Sequence, residues 1–187
     1  MIRTTLLLTM FLSCLPISSL AERPIVRVGI YPFAPFVESV DDDYQGVTLE
    51  LLTLLNKIQQ QFHFSAVAIS PKRRYQAFNA GDYDMLLYEN RKWGWQDIEV
   101  QSSQVYQRGR ELYVALADAG RDQTFFSELK HKRLIGILGY HYGFAGFNSN
   151  EHELRQHYNI ILSWDHRRNF DLLLERHGDV LIVNQSY

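Results

Sequence analysis

The residues whose types and spacing suit chemistry lie where short apolar runs end. Val26 to Phe36, VRVGIYPFAPF, is one such run, passing straight into an aromatic, proline-braced loop. Its imperfect alternation suits a strand covered on both faces. Pro32 and Pro35 stop the strand and stiffen the loop, leaving Tyr31, Phe33 and Phe36 at a mouth as flat faces for stacking. Further on, Lys72-Arg73-Arg74 opens a helix. Lys72 and Arg74 read as solvated flanks, whereas Arg73 reads as a guanidinium that reaches the cleft edge and grips a carboxylate with two hydrogen bonds. A later strand delivers Tyr88, Glu89 and Asn90 to the same edge. Trp93-Gly94-Trp95 follows, as a lid over a pocket or a clasp outside it, with the pocket preferred. Gly139-Tyr140-His141 leaves a strand and enters a helix, where free backbone amides suit an anion.

These groups suit recognition better than catalysis. There is no glycine-rich phosphate loop, no nucleophile elbow and no clustered Cys/His set. His152 and His157 are five apart, and one helical face needs four. Asp41-Asp42-Asp43-Tyr44 reads as an exposed acidic turn without the spaced oxygens of a calcium loop. No catalytic residue, metal or cofactor is therefore expected, and Glu89 alone is weak grounds for a general acid.

The elements that must hold these side chains alternate in type. After the opening strand, Val47, Leu51, Leu54, Leu55, Ile58 and Phe62 fall on one helical stripe, predicting an amphipathic helix. Phe64 to Ile69 is a strand, Ser70-Pro71 opens a second helix through Ala80, and Tyr83 to Tyr88 is a third strand. This order implies parallel pairing through right-handed crossovers. Glu111 to Ala117 is a strand crossing into a second α/β unit. There we expect a short helix near Ser127 to His131, strand Leu134 to Leu138, a helix from about Tyr142, a helix Glu151 to Tyr158 capped by Asn150 with Glu153, strand Ile160 to Trp164, helix Asp165 to His177 and strand Asp179 to Val183.

Among the 187 residues, 1–21 read as a secretory leader: a basic start at Arg3, the apolar run Leu6 to Leu15, and Ser19-Leu20-Ala21 where a signal peptidase cuts. That run is short of the roughly 18 to 20 residues of a membrane-spanning helix, so the mature chain is expected to be exported to the periplasm and not membrane-embedded. Cys14 leaves with the leader, so stability must come from packing rather than disulfides. A net charge of −2 gives no footprint for nucleic acid.

The order of pieces carries a resemblance: the opening strand and aromatic-proline loop, Gly46-Val47-Thr48-Leu49-Glu50-Leu51, Ala80-Gly81-Asp82-Tyr83-Asp84, Arg110-Glu111-Leu112-Tyr113-Val114-Ala115, Leu129-Lys130 to Ile137, and Gly178-Asp179-Val180-Leu181-Ile182-Val183. Over residues 24–187 the chain resembles the family 3 extracytoplasmic solute-binding proteins, the amino-acid-type periplasmic binding proteins. The resemblance implies a two-lobed α/β fold of the periplasmic-binding-protein-like type II class, with two crossing hinge strands. Residues 22–113 would form lobe one, incomplete because the C-terminal return to it is missing; 114–183 lobe two; and 184–187 the start of the return hinge. It implies a monomeric, non-enzymatic protein that captures a small polar solute, amino-acid-like or an organic acid, in the interlobe cleft for an ABC-type permease. Alternatives on the same fold are a sensory module of a membrane signalling protein, or a domain like the periplasmic dehydratases or that of lytic transglycosylases.

The implied ligand contacts are Tyr31, Phe33, Phe36, Arg73, Tyr88, Glu89, Trp93 and Trp95 from lobe one, with Tyr140, His141 and Asn184 from lobe two. Three departures bear on the ligand. Trp93-Gly94-Trp95-Gln96 stands where the family tends to carry Thr-x-x-Arg, Asn184 where it tends to carry an aspartate, and Gly139-Tyr140-His141 where it has a Gly-Thr-Thr-like turn. Arg73, eight residues before Gly81, matches the arginine of many divergent members.

Overall fold

A computed structural model describes residues 22–41 and 43–187. The leader, Cys14 and Asp42 lie outside them.

Val28 and Ile30 are buried to 0 % and 4 % exposure, because β1 (Ile25–Ile30) is the middle strand of its sheet. A small hairpin, β2 (Glu38–Val40) and β3 (Asp43–Gln45), follows and turns at the exposed Asp41. Helix α1 (Val47–Ile58) then leads to β4 (His63–Ala68), which pairs with β1 in parallel from Ile25↔His63 to Ile30↔Ala68. A 3₁₀ turn over Pro71–Arg73 and helix α2 (Arg74–Asn79) cross back to β5 (Met85–Leu86), parallel to β1 on its other side. This three-stranded sheet, in the order β4-β1-β5, sends every C-terminal strand end to one edge.

The second sheet begins with β6 (Glu111–Val114), antiparallel to the last strand β9 (Val180–Asn184). Between them come β7 (Leu134–Ile137), helix α3 (Glu151–His157), β8 (Ile160–Ser163) and helix α4 (His166–Leu174), giving the strand order β6-β9-β7-β8. Leu134, Ile135, Val180 and Leu181 are fully buried, as central parallel strands require. Gly178 admits Ile135 so closely that a Cβ would stand 2.4 Å from Cγ1 of that side chain. β6 pairs along its whole length with β9, so Glu111 to Tyr113 belong to the second sheet.

Several expectations need correction. The stripe expected to bury α1 is only partly covered: Leu51 and Leu55 are half-buried and Val47, Leu54, Ile58 and Phe62 are 42–67 % exposed, while the buried residues of the helix are Thr48 and Leu52. Apolar residues line two sides of this helix, and periodicity alone does not choose between them. The helix expected from Tyr142 is a 3₁₀ turn over Gly143–Ala145, ended by Gly146 in the left-handed region. The short helix near Ser127 to His131 is likewise a 3₁₀ turn, Leu129–His131. The third strand holds its ladder only at Met85–Leu86. Asn150 does cap α3, accepting from Glu153 N at 3.2 Å, but the Glu153 carboxylate takes Asn148 Nδ2 at 2.6 Å instead of reaching back.

Candidate functional site

Three segments leaving the first sheet's C-terminal edge meet at a buried arginine. Arg74, the first residue of α2, is 3 % exposed. It heads the inward stripe of that helix, with Ala77 and Phe78 three and four residues on. From β5 comes Glu89, whose Oε1 lies 3.6 Å from Arg74 Nε, near enough for an ion pair but beyond a hydrogen bond. From β1 comes Tyr31, which donates its hydroxyl to Glu89 Oε1. Burial first, and then the Glu89 charge, hold that phenol well above its ordinary range. Trp95 Nε1 donates to Glu89 Oε2 at 2.7 Å. The carboxylate is thus held by a phenol, an indole and a guanidinium, which offsets the cost of burying it.

Tyr75 forms the other wall. Arg74 Nη2 donates to its hydroxyl at 2.6 Å, and that hydroxyl donates to the Trp93 carbonyl. Desolvation pushes the Tyr75 phenol up to about 12, so it is protonated at every relevant pH. The guanidinium carbon stands 4.5 Å from the Tyr75 ring centroid and 5.8 Å from that of Tyr31, both within cation–π reach. Gly94 makes the fit: at φ +82° it takes a left-handed turn, and a Cβ there would stand 2.8 Å from the Tyr75 hydroxyl.

The second unit faces this cluster with the loop after β7. His141 Nδ1 lies 3.1 Å from Arg74 Nη2 and Nε2 lies 3.3 Å from the Tyr75 hydroxyl, while the ring stacks on Trp93 at 6.3 Å. Desolvation and then the Arg74 charge lower the His141 imidazole to about 4. Tyr140, mostly buried and with its phenol raised by that burial, meets Phe33 edge-on at 5.7 Å. Lys72 reaches Glu151 across the gap at 3.1 Å, an exposed pair of little energetic weight. A cleft of about 250 Å³ remains between Pro71, Lys72, Arg74 and Tyr75 on one side and Gly139, Ser149 and Glu151 on the other.

The residues singled out from the sequence therefore divide. Tyr31, Glu89, Trp93, Tyr140 and His141 come together around Arg74. Phe33 joins them through Tyr140. Phe36 is 6 % exposed and stacks on Tyr88 at 3.9 Å; with Tyr31, Phe33 and Thr48 the two line a recess of only about 20 Å³. Tyr88 holds a left-handed backbone, φ 60°, costly for an aromatic residue, and its N–H donates to Tyr106 at 2.9 Å. Trp95 is 5 % exposed and offers the cleft no open face. Asn184 is turned to its own strand end, accepting from Ser186 N and Oγ.

Arg73 is exposed, the last residue of the 3₁₀ turn. The arginine at the cleft is its neighbour Arg74, expected as a solvated flank. Pro71 opens a 3₁₀ turn that ends at Arg73, and α2 proper starts at Arg74. The spacing of Ala77 and Phe78 from Arg74 was the signal that identifies it. Tyr75 had no such signal. The Gly143 amide is not open, for Glu111 accepts from Gly143 N at 3.0 Å, and Tyr140 N donates to the Ile137 carbonyl at 3.4 Å. Among the described residues no group of three or more His, Cys, Asp or Glu could hold a metal ion, and no helix is long and apolar enough to cross a membrane.

No protein-family model and no curated protein matches the sequence. Solved structures do match in shape. The ancestral amino-acid-binding protein AncCDT-1, a precursor of cyclohexadienyl dehydratase, aligns over 86 % of this chain and 71 % of its own at 15 % identity, TM-score 0.64. An ABC uptake transporter substrate-binding protein from Streptococcus pneumoniae with bound histidine aligns over 87 % and 67 %, at 18 % identity and TM-score 0.64. The Tv2483 protein bound to L-arginine aligns over 86 % of this chain, at 17 % identity and TM-score 0.62; the chain spans 65 % of its length. The fold is thus the two-lobed α/β fold of periplasmic amino-acid-binding proteins, with the Arg74 cluster at the edge where the lobes meet.

Proposed function

We propose that the chain is a periplasmic solute-binding protein that captures a small polar solute, amino-acid-like or an organic acid, between its lobes for an ABC-type permease. The observation that carries this reading is a buried guanidinium framed by two tyrosines and a carboxylate, at the C-terminal edge of a parallel sheet, facing Tyr140 and His141 of the other lobe. The first lobe, which ends before β6, supplies most of the grip, and the second lobe the closing face. Tyr31 and Tyr75 stack on the solute, and Arg74, not Arg73, pairs with its carboxylate. Relatives in shape that bind histidine and arginine support a ligand of this size.

Glu89 is a poor general acid here, with both oxygens already accepting from Tyr31 and Trp95. We therefore place the protein among binders rather than enzymes. A thermal-shift screen with amino acids, organic acids and polyamines tests the reading. A carboxylate-bearing solute that binds the native state raises the melting temperature. A screen without a stabilising compound, or turnover of one, contradicts it.

A further inference from the structure

Both terminal nitrogens of the cleft cation are engaged. Arg74 Nη1 donates to the Pro71 carbonyl and approaches the Gly139 carbonyl at 3.5 Å. Nη2 serves Tyr75 and His141, and Nε points at Glu89. Two of these acceptors, Gly139 O and His141 Nδ1, belong to the opposite lobe and stand where an incoming carboxylate would stand.

The hydrogen-bond directions also fix the proton on His141. The Tyr75 hydroxyl receives Arg74 and gives its own proton to Trp93 O, so its contact with His141 Nε2 requires N–H on Nε2. Nδ1 is then bare, as acceptance from Arg74 demands. His141 sits here as the neutral Nε2–H tautomer. A proton added to Nδ1 would set N–H against N–H and cation against cation.

We propose that His141 is a tethered occupant of the Arg74 seat, a proton-sensitive latch that closes the cleft without solute and that an anionic solute must displace. The inference rests on the reading of this cleft as the solute site. The groups facing His141 agree with it. From α2 come Arg74 and the neutral Tyr75; from the turn before it comes Lys72, neutralised by Glu151 of α3; from the loop after β5 comes Trp93, with Glu89 behind Arg74 and occupied by Tyr31 and Trp95. Among the described residues no carboxylate makes a hydrogen bond or ion pair with His141 that would hold its proton. Burial and the guanidinium both disfavour the charged ring.

The sign follows. In the open form His141 faces water and titrates near the ordinary histidine value, about 6.5. The closed form binds fewer protons below that value, so closure weakens as pH falls from there towards about 4. Small-angle scattering of the full chain, without any solute, at about pH 7.5 and about pH 5 reads this directly. The radius of gyration should rise at the lower pH with the circular dichroism unchanged, and His141→Gln should have the same radius at both. A wild-type radius that ignores pH, or the same rise in His141→Gln, overturns the latch. Should that variant not fold, ¹⁵N spectra of wild-type imidazoles decide: the Nε2–H tautomer with depressed titration supports the latch, and ordinary titration overturns it. No solute enters these experiments, so a latch that fails leaves solute capture standing, and an empty solute screen leaves the scattering result standing.

Discussion

In the first lobe Arg27 clamps Asp84, its Nη2 donating to Oδ1 at 2.7 Å and its backbone N–H and Nε to Oδ2; in the second Arg133 clamps Asp179 through the same three donors. Arg27 lies within β1 and Arg133 just before β7, and each is fastened to the residue just before the parallel neighbour, β5 or β9. Beyond that shared device the lobes differ. The second buries the larger apolar layer, with Leu134, Ile135, Val180 and Leu181 at 0 % exposure, together with the polar residues Ser163, His166 and Asn169, of which Ser163 Oγ donates to Asn169 Oδ1 and Asn169 Nδ2 to the Gly136 carbonyl. The first has a two-residue β5, leaves Val47, Leu54 and Ile58 of α1 exposed, and, among the described residues, sets its one buried charged residue, Arg74 at 3 %, at the cleft. The second lobe has the larger buried apolar core, and the first depends more on the charged cluster of Arg74 and Glu89 that also forms the site. Binding chemistry and local stability are therefore more tightly coupled in the first lobe than in the second.

Four experiments break or sharpen that contrast. The largest effect is expected from Glu89→Ala, which strands the Arg74 charge and unseats Tyr31 and Trp95; about 3–5 kcal/mol should be lost in urea unfolding. A loss under about 1 kcal/mol would mean that the cluster holds nothing together. Leu181→Ala should cost about 2–5 kcal/mol through the cavity left in the second sheet, while Ile58→Ala on α1, 67 % exposed, should stay within about 0.5 kcal/mol. Equal costs would erase the difference between the lobes. Gly94→Ala should cost about 1–2 kcal/mol, from its left-handed backbone and the nearby Tyr75 hydroxyl, and weaken solute binding with it.

The smallest effect is acid-dependent. Arg27 and Arg133 hold the Asp84 and Asp179 carboxyls below the usual carboxylate value. Each depressed pKa contributes stability that is present above the unfolded value of about 3.9 and is lost as pH falls through the folded one. Chemical denaturation at about pH 5 and about pH 3 should therefore show a shallower acid loss in Asp84→Asn and Asp179→Asn than in the wild type. Identical slopes would show that these exposed pairs contribute nothing.

Much of this contrast was legible in the residues. Val28 and Ile30 announced a central strand, Leu134 to Ile137 and Val180 to Val183 announced buried ones, and the aromatic loop after β1 does reach the site through Tyr31. The misread positions share a physical cause. Periodicity reports that a face is apolar, not how far it is covered, so of the stripe through Val47, Leu51, Leu54, Leu55 and Ile58 only Leu51 and Leu55 are half-buried, and Thr48 and Leu52 take the buried places. Arg73 ends the 3₁₀ turn in an exposed position, whereas Arg74 shares the inward side of α2 with Ala77 and Phe78, so the gripping role falls to Arg74. In Trp93-Gly94-Trp95 the glycine reverses the chain between two indoles; one stacks on His141 while the other is buried against Glu89, a division that depends on Tyr75 and is invisible along the sequence.

The central claim is that Arg74 grips the solute and Arg73 does not. Calorimetric titration of the stabilising solute into wild type, Arg74→Gln and Arg73→Gln tests it most directly. We predict that Arg74→Gln loses about 2–5 kcal/mol of binding free energy and that Arg73→Gln binds as the wild type does. Unchanged affinity in Arg74→Gln, or a loss confined to Arg73→Gln, would contradict the account.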